Sequence, residues 1–167
     1  MNNPKRDWSI NPDHTWAINP IHTWAINPIH TWAINPIHTW SINPVHTWAL
    51  NPHHTWALNP VHTWAINPRH TPSLKPNSPS FKGYLVVDKN TDMALYYTVD
   101  CKATVDVLLI FDGADNPAFV AVGRAGGYSI FDFQNMEYIG YMASNGKDGY
   151  NWFSVDGEWL YYVVKKN

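Results

Sequence analysis

The N-terminal part of the chain repeats one pattern of apolar and polar positions every eight residues. The octad Trp-Ala/Ser-Ile/Leu-Asn-Pro-x-His-Thr begins at Trp8 and occurs eight times over residues 8–71. A proline in every octad excludes a continuous helix, because each proline costs about 3 kcal/mol in a helix interior. Eight is an even number, so in an extended chain each position keeps the same face in every octad. The pattern predicts short strands joined by Asn-Pro turns.

Two arrangements of the repeat are compatible with this pattern. One is a narrow β/turn solenoid or meander, in which two octads form each coil. The other is an extended low-complexity chain with local turns. Residues 1–7 form a degenerate start of the repeat. The sixth position of the octad varies freely, and its occupants are Asp13, Ile21, Ile29, Ile37, Val45, His53, Val61 and Arg69.

The pattern changes after a Pro/Ser-rich linker at residues 72–80. Residues 81–167 contain about eight short apolar segments, separated by Gly, Asn and Asp at a spacing near ten residues. The predicted strands cover residues 82–87, 93–99, 103–111, 119–122, 128–133, 137–142, 150–155 and 159–164. This spacing predicts a small all-β domain, either a sandwich or a barrel. The division is therefore 1–7, 8–71, 72–80 and 81–167.

Composition and charge exclude several classes of protein. The formal net charge is −2, which argues against a nucleic-acid-binding protein that relies on a basic surface. A single cysteine excludes an internal disulfide framework and a Cys-based zinc site. The sequence has neither an apolar run long enough for a transmembrane helix nor the apolar core of a signal peptide. We therefore expect a chain without a transmembrane segment, located in the cytoplasm.

The β domain offers few groups for catalysis. It contains no histidine, so it cannot supply a Ser-His or Cys-His pair by itself. The Gly-rich run at 123–127 lacks the Lys and Ser/Thr of a phosphate loop and is interpreted as a turn. Cys101 is interpreted as a buried, inert thiol. We predict that the protein is not an enzyme.

The histidines of the repeat are the strongest candidates for chemistry. Imidazole is a common ligand of copper, zinc and nickel, and a fixed spacing could bring neighbouring rings together. With one Pro, one His and one Trp per eight residues, the octad resembles the prion octarepeat, which implies copper binding. In that family Gly follows His, whereas Thr and Trp follow it here. An alternative is that each imidazole stacks on an indole. The candidate metal ligands are His14, His22, His30, His38, His46, His54, His62 and His70.

These features favour a non-enzymatic structural or interaction protein. In this interpretation the repeat is a stalk or a self-association surface, and the β domain recognises a partner. The first alternative is transition-metal binding through the repeat histidines. The second is a multi-copy peptide precursor, although no basic cleavage site separates the octads. The predicted interaction surface consists of Trp8, Trp16, Trp24, Trp32, Trp40, Trp48, Trp56 and Trp64.

Overall fold

Eight antiparallel strands close a barrel, and the octads are wound around its outside. The computed structural model describes residues 1–166. The strands follow chain order around the barrel until the eighth pairs with the first. They are β1 (Tyr84–Asp88), β2 (Ala94–Asp100), β3 (Val107–Asp112), β4 (Pro117–Arg124), β5 (Gly127–Asp132), β6 (Tyr138–Ser144), β7 (Tyr150–Ser154) and β8 (Trp159–Lys165). Each predicted strand overlaps one of these, so the predicted fold class is confirmed in its barrel form.

Within each octad, the residues predicted as a short strand form a 3-10 turn instead. These turns are Trp8–Ile10, Trp16–Ile18, Trp24–Ile26, Trp32–Ile34, Trp40–Ile42, Trp48–Leu50, Trp56–Leu58 and Trp64–Ile66, and Pro72–Leu74 continues the series. The Asn after each octad turn is extended, as the residue before a proline prefers. The repeat is therefore an alternation of 3-10 turns and Asn-Pro turns. None of the helical segments in residues 1–166 has the length and apolar character needed to cross a membrane.

Two side chains per octad hold the repeat together. Asn51 donates from Nδ2 to the carbonyl of Pro44 in the preceding octad at 3.2 Å, and its Oδ1 accepts from the amide of His53 at 2.8 Å. Thr55 donates from Oγ1 to the carbonyl of Trp48 at 2.6 Å, which closes the octad on itself. The equivalent bonds occur in the other seven octads. The Asn side chain thus links consecutive octads, and the Thr side chain closes each one.

Removal of the Asn side chain is expected to destabilise the protein. Asn51 is buried, so Asn51→Ala leaves the Pro44 carbonyl and the His53 amide without their partners. Unsatisfied buried polar groups cost about 1–3 kcal/mol each, and we expect a decrease of about 2–4 kcal/mol in the free energy of unfolding. Chemical denaturation measures this value. Ala49→Ser is the control, because Ser occupies the same octad position at Ser9 and Ser41. Equal stability of the two variants would contradict the role of Asn51.

Aromatic side chains fill the interior of the barrel. The ring of Phe119 on β4 lies 5.2 Å from that of Trp152 on β7, a contact that can form only across the interior. Tyr96 on β2 contacts both rings, at 5.2 Å and 6.5 Å. Near the other end, Tyr150 contacts Tyr84 and Tyr128, each at 5.6 Å. Between these two aromatic layers lies an aliphatic layer that includes Val86, Ile110, Ala121, Ile130, Met142 and Val163.

The four hairpins β1–β2, β3–β4, β5–β6 and β7–β8 share one design. Each turn begins with Asp88, Asp112, Asp132 or Ser154, whose side-chain oxygen accepts a hydrogen bond from a backbone amide within the turn. Each turn contains one residue of positive φ, and each hairpin has a register shift next to the turn. Because consecutive strands alternate in direction, the four turns lie at the same end of the barrel. We name this end the turn end.

The outer face of the barrel is also largely apolar. Its side chains alternate with those of the interior and include Val87, Leu109 and Phe131, all of them buried. They form one cluster with octad side chains, among them Leu58. A polar contact joins the same two layers, since Asn151 on β7 donates from Nδ2 to the carbonyl of Ile10 at 3.2 Å. The octads therefore cover the outer face and complete the hydrophobic core.

Four residues at the sixth octad position, or its equivalent in the degenerate start, contact the turn end of the barrel. Lys5, which occupies the equivalent position in the degenerate start, forms an ion pair with Asp92 in the β1–β2 turn at 3.2 Å. Ile21 packs on Gly157 in the β7–β8 turn, where a Cβ on the glycine would lie 3.1 Å from Ile21 Cδ1. These contacts attach the first part of the repeat to two hairpins that are neighbours in the closed barrel.

The later part of the repeat uses the same octad position. The Nε2 atom of His53 lies 2.6 Å from the carbonyl oxygen of Phe133 in the β5–β6 turn. Arg69 donates from Nη2 to the Asn116 side chain at 2.6 Å and to the Ala114 carbonyl at 3.0 Å, both in the β3–β4 turn.

The spacing of these four contacts defines the winding of the repeat. Residues 5, 21, 53 and 69 are separated by 16, 32 and 16 positions, so every interval is a multiple of two octads. Their partners are the hairpin turns in the order β1–β2, β7–β8, β5–β6 and β3–β4. The chain therefore circles the barrel against the strand order and returns to the turn end once in every two octads.

Candidate functional site

The outward side of the repeat carries eight pairs of stacked aromatic rings. In each octad the indole of the first residue stacks on the imidazole of the seventh. Ring centroids are 3.8–4.3 Å apart and interplanar angles are 6–11°. Because the Thr hydroxyl bonds the Trp carbonyl, the end of each octad returns beside its beginning. We name these eight ring pairs the Trp–His array.

The array is exposed and carries almost no charge. The eight tryptophans of the repeat are 60–69% exposed, and the stacked histidines are exposed as well. Between residues 8 and 71 the formally charged residues are Asp13 and Arg69. Apolar residues at the sixth position add to this surface, since Ile29, Val45 and Val61 are also exposed. Monomeric soluble proteins rarely expose large contiguous apolar areas, and such areas commonly mark interaction sites.

Each of the predicted metal ligands stacks on the indole of its own octad. Each of the eight histidines stacks on the tryptophan six residues before it, for example His14 on Trp8, and seven of them are also followed two residues later by a tryptophan on which they do not stack. Within residues 1–166, no three His, Cys, Asp or Glu side chains converge on a point that could hold a metal ion. The stacking alternative therefore describes the geometry of the histidines. Binding of copper, zinc or nickel stays a prediction.

A ninth histidine has a different environment from the other eight. His53 occupies the variable sixth position, contacts the Phe133 carbonyl through Nε2 and lies 5.1 Å from the Phe133 ring. Its role is to attach the repeat to the barrel. The sequence showed His53 only as an irregular substitution, because its partner is 80 residues away.

Comparison with protein-family models, with curated proteins and with solved structures finds no match to this chain. Its function is therefore inferred from its own geometry.

Cys101 and the Gly-rich run at 123–127, the barrel features considered from the sequence, have structural roles. Cys101 is free and buried, and burial raises the pKa of its thiol to about 12, so it is a poor nucleophile. Ala125 and Gly126 form the tight β4–β5 turn, as interpreted from the Gly-rich run. Trp152 lies in the barrel interior, and Trp159 is also buried. These two strand aromatics thus contribute to packing.

Two open clefts lie between the linker and the barrel. One, of about 440 Å³, is at the turn end and is lined by Lys75, Leu95 and Asp115 among others. The second, of about 540 Å³, is at the opposite end, where Lys82 and Lys102 stand at its edge. The ion pair of Lys75 with Asp115, at 2.8 Å, spans the first cleft. The linker therefore lies beside the barrel and is joined to it by this ion pair.

Proposed function

We propose that this chain is a non-enzymatic interaction protein that associates with copies of itself through the Trp–His array. The observation that supports this proposal is the array itself, with eight regularly placed indoles at 60–69% exposure on a surface almost without charge. Because the octads lie on the barrel, the repeat is a coat rather than a projecting stalk. We propose the cytoplasm as its location, in keeping with a thiol that is free.

A second copy of the chain is the partner that fits this surface best. An uncharged surface offers no charge complementarity that would select a different, charged partner. Two copies of the array present the same spacing of rings, so a two-fold axis brings the indoles on the facing side of one copy opposite equivalent groups of the other. Such a self-complementary contact is the basis of two-fold symmetric dimers. Trp is also among the residues that contribute most to binding free energy at interfaces.

Sedimentation velocity of the full chain tests this proposal. The wild-type sedimentation coefficient is expected to increase with protein concentration. Alternate octads reach the same end of the barrel, so the triple variants W24S/W40S/W56S and W16S/W32S/W48S probe opposite halves of the array. At least one of them is expected to remain monomeric at concentrations where the wild type associates.

The matched control removes exposed apolar groups without removing indoles. The variant I29S/V45S/V61S changes three exposed residues at the sixth octad position. We expect it to associate as the wild type does. A wild type that stays monomeric at every concentration, or a control variant that loses association as completely as the Trp variants, would contradict the proposal.

A further inference from the structure

Arg124 is a partly buried cation that forms no ion pair within residues 1–166. It ends β4 on the outer face of the barrel, where it follows the buried side chains of Val120 and Val122. Its Nη1 donates to the carbonyl of Ala125 at 2.7 Å. Its Nε and Nη2 atoms are buried and have no hydrogen-bond partner. Burial lowers the pKa of this guanidinium, but arginine stays protonated in proteins, so the partly buried group keeps its positive charge.

The two unpartnered nitrogens form a recognisable binding edge. The N–H groups of Nε and Nη2 point in the same direction from one side of the planar guanidinium. Their spacing matches two oxygen atoms of one oxyanion, which can accept both bonds at once. In residues 1–166 the ion pairs involve lysine side chains, and Arg124 takes part in none of them.

The surroundings of Arg124 add hydrogen-bond donors. The Arg124 Cζ atom lies 5.8 Å from the centre of the Tyr141 ring. Tyr138 lies on β6, as Tyr141 does, and its side chain packs against the apolar cluster of the outer face. Their hydroxyl oxygens are buried and unpartnered, as is Oγ of Ser129, which pairs with Tyr141 between β5 and β6. Burial raises the pKa of Tyr138 to about 12, so its hydroxyl keeps the proton that it can donate.

This group of residues lies under the repeat. A Cβ added to Gly157 would lie 3.6 Å from the Tyr141 hydroxyl and 3.1 Å from Cδ1 of Ile21 in the second octad. The hydroxyl therefore lies close to the contact between the barrel and the octads. A ligand held here must be small, because the octads close over the outer face of the barrel.

We propose that Arg124, Tyr138 and Tyr141 form a binding site for a small inorganic oxyanion between the barrel and the repeat. The Nε–Nη2 edge of the guanidinium binds two oxygens of the ion, and the tyrosine hydroxyls donate to the ion's remaining oxygen acceptors. The bound ion neutralises the buried charge and satisfies donors that otherwise have no partner. It thereby stabilises the octads in their position on the barrel. This site is independent of the proposed self-association, because the Trp–His array faces away from it.

Thermal unfolding of the full chain with phosphate, sulfate or nitrate tests the site. Chloride replaces the oxyanion so that ionic strength stays constant. The wild-type Tm is expected to rise saturably with at least one of the three ions, as binding to the native state alone requires. Arg124→Lys keeps the charge but loses the two-nitrogen edge, and we expect its apparent affinity to decrease about tenfold or more. Arg6→Lys is the control, since Arg6 is exposed, and it should behave as the wild type.

Two further measurements decide the outcome if Arg124→Lys does not fold. Tyr138→Phe removes one hydroxyl and keeps the charge, and it should weaken the oxyanion effect several-fold. In NMR spectra the Arg124 Nε–H signal should shift on titration of the oxyanion and saturate at the concentration found from the Tm. A wild-type Tm that does not respond to any of the three ions would overturn the proposal. Equal responses of the wild type and the Arg124 and Tyr138 variants, or an Nε–H signal that does not move, would also overturn it.

Discussion

Residues 81–167 produced without the repeat are expected to aggregate or to remain unfolded. The isolated barrel would expose an outer face of apolar side chains that is buried in the full chain, including Val99, Leu109, Phe131 and Val164. Each such side chain contributes about 1.5–3 kcal/mol when it is buried. Domains have net free energies of unfolding of only about 5–15 kcal/mol. Loss of the octads therefore removes more burial free energy than the net stability of the barrel. Circular dichroism and sedimentation of the fragment measure this result.

Addition of the missing segment provides the control. Residues 1–80 alone lack the surface on which their Ile and Leu side chains pack, so we expect this peptide to show little regular structure. Mixing it with the barrel fragment during refolding should restore a soluble complex. A barrel fragment that is monomeric and cooperatively folded by itself would contradict the expectation, and would show that the octads are an accessory coat.

Deletion of one octad is expected to destabilise the protein more than deletion of two. The residues that contact the turn end are multiples of 16 positions apart. Deletion of residues 32–39 shortens the spacing between Ile21 and His53 by one octad, so Lys5 and Ile21 can no longer reach the turn end when His53 does. The three octads before the deletion, residues 8–31, then lose their register on the barrel. Deletion of residues 24–39 preserves the alternation. We expect the one-octad variant to have the lower free energy of unfolding, by about 2 kcal/mol or more, because several contacts are lost together.

Denaturant unfolding of the two deletion variants and of the wild type checks this order. Deletion of residues 56–63 is a second one-octad variant at a different place, and it should resemble the deletion of 32–39. A loss of stability that grows in proportion to the number of octads removed would contradict the two-octad period.

The barrel strands were predictable because their sequence signals are local. Apolar runs such as residues 107–111 lie between turn residues, and the turns at Asp88, Asp112 and Asp132 use side chains to bind amides only a few residues away. Closure into a barrel was left open beside a sandwich. Both faces of β3 are apolar, so alternation could not show which face points inward. That information lies in the contact between Phe119 and Trp152, which are distant in sequence.

The backbone of the octad was predicted incorrectly for a specific reason. A period of eight residues fits an extended chain, but it also fits two turns of different kinds placed end to end. The amide of each Asn bonds the Trp carbonyl three residues before it, and this bond leaves no trace in the hydrophobic pattern. The same turns bring His14 beside Trp8, six residues earlier in the chain.

The candidate site was partly visible in the sequence. Repetition identified the tryptophans and histidines, and the absence of charge between residues 14 and 68 indicated an unusual surface. Arg124 was not visible as a special residue, because it lies in a Gly-rich run whose obvious interpretation is a turn. Its burial depends on the octads, which are more than 50 residues away in the chain. Sequence reasoning on either segment alone could not place one over the other.

The cover of the barrel by an N-terminal segment has a consequence for protein synthesis. The octads leave the ribosome first, but the surface on which they pack is made last, since β8 must pair with β1 before the barrel closes. Synthesis proceeds at about 5–20 residues per second, so the rest of the chain is completed roughly 5–20 s after the octads. In a nascent chain that ends before Trp159, the octads are complete but have no closed barrel on which to pack. Packing of the first 71 residues therefore depends on β8, the last strand, which has seven residues.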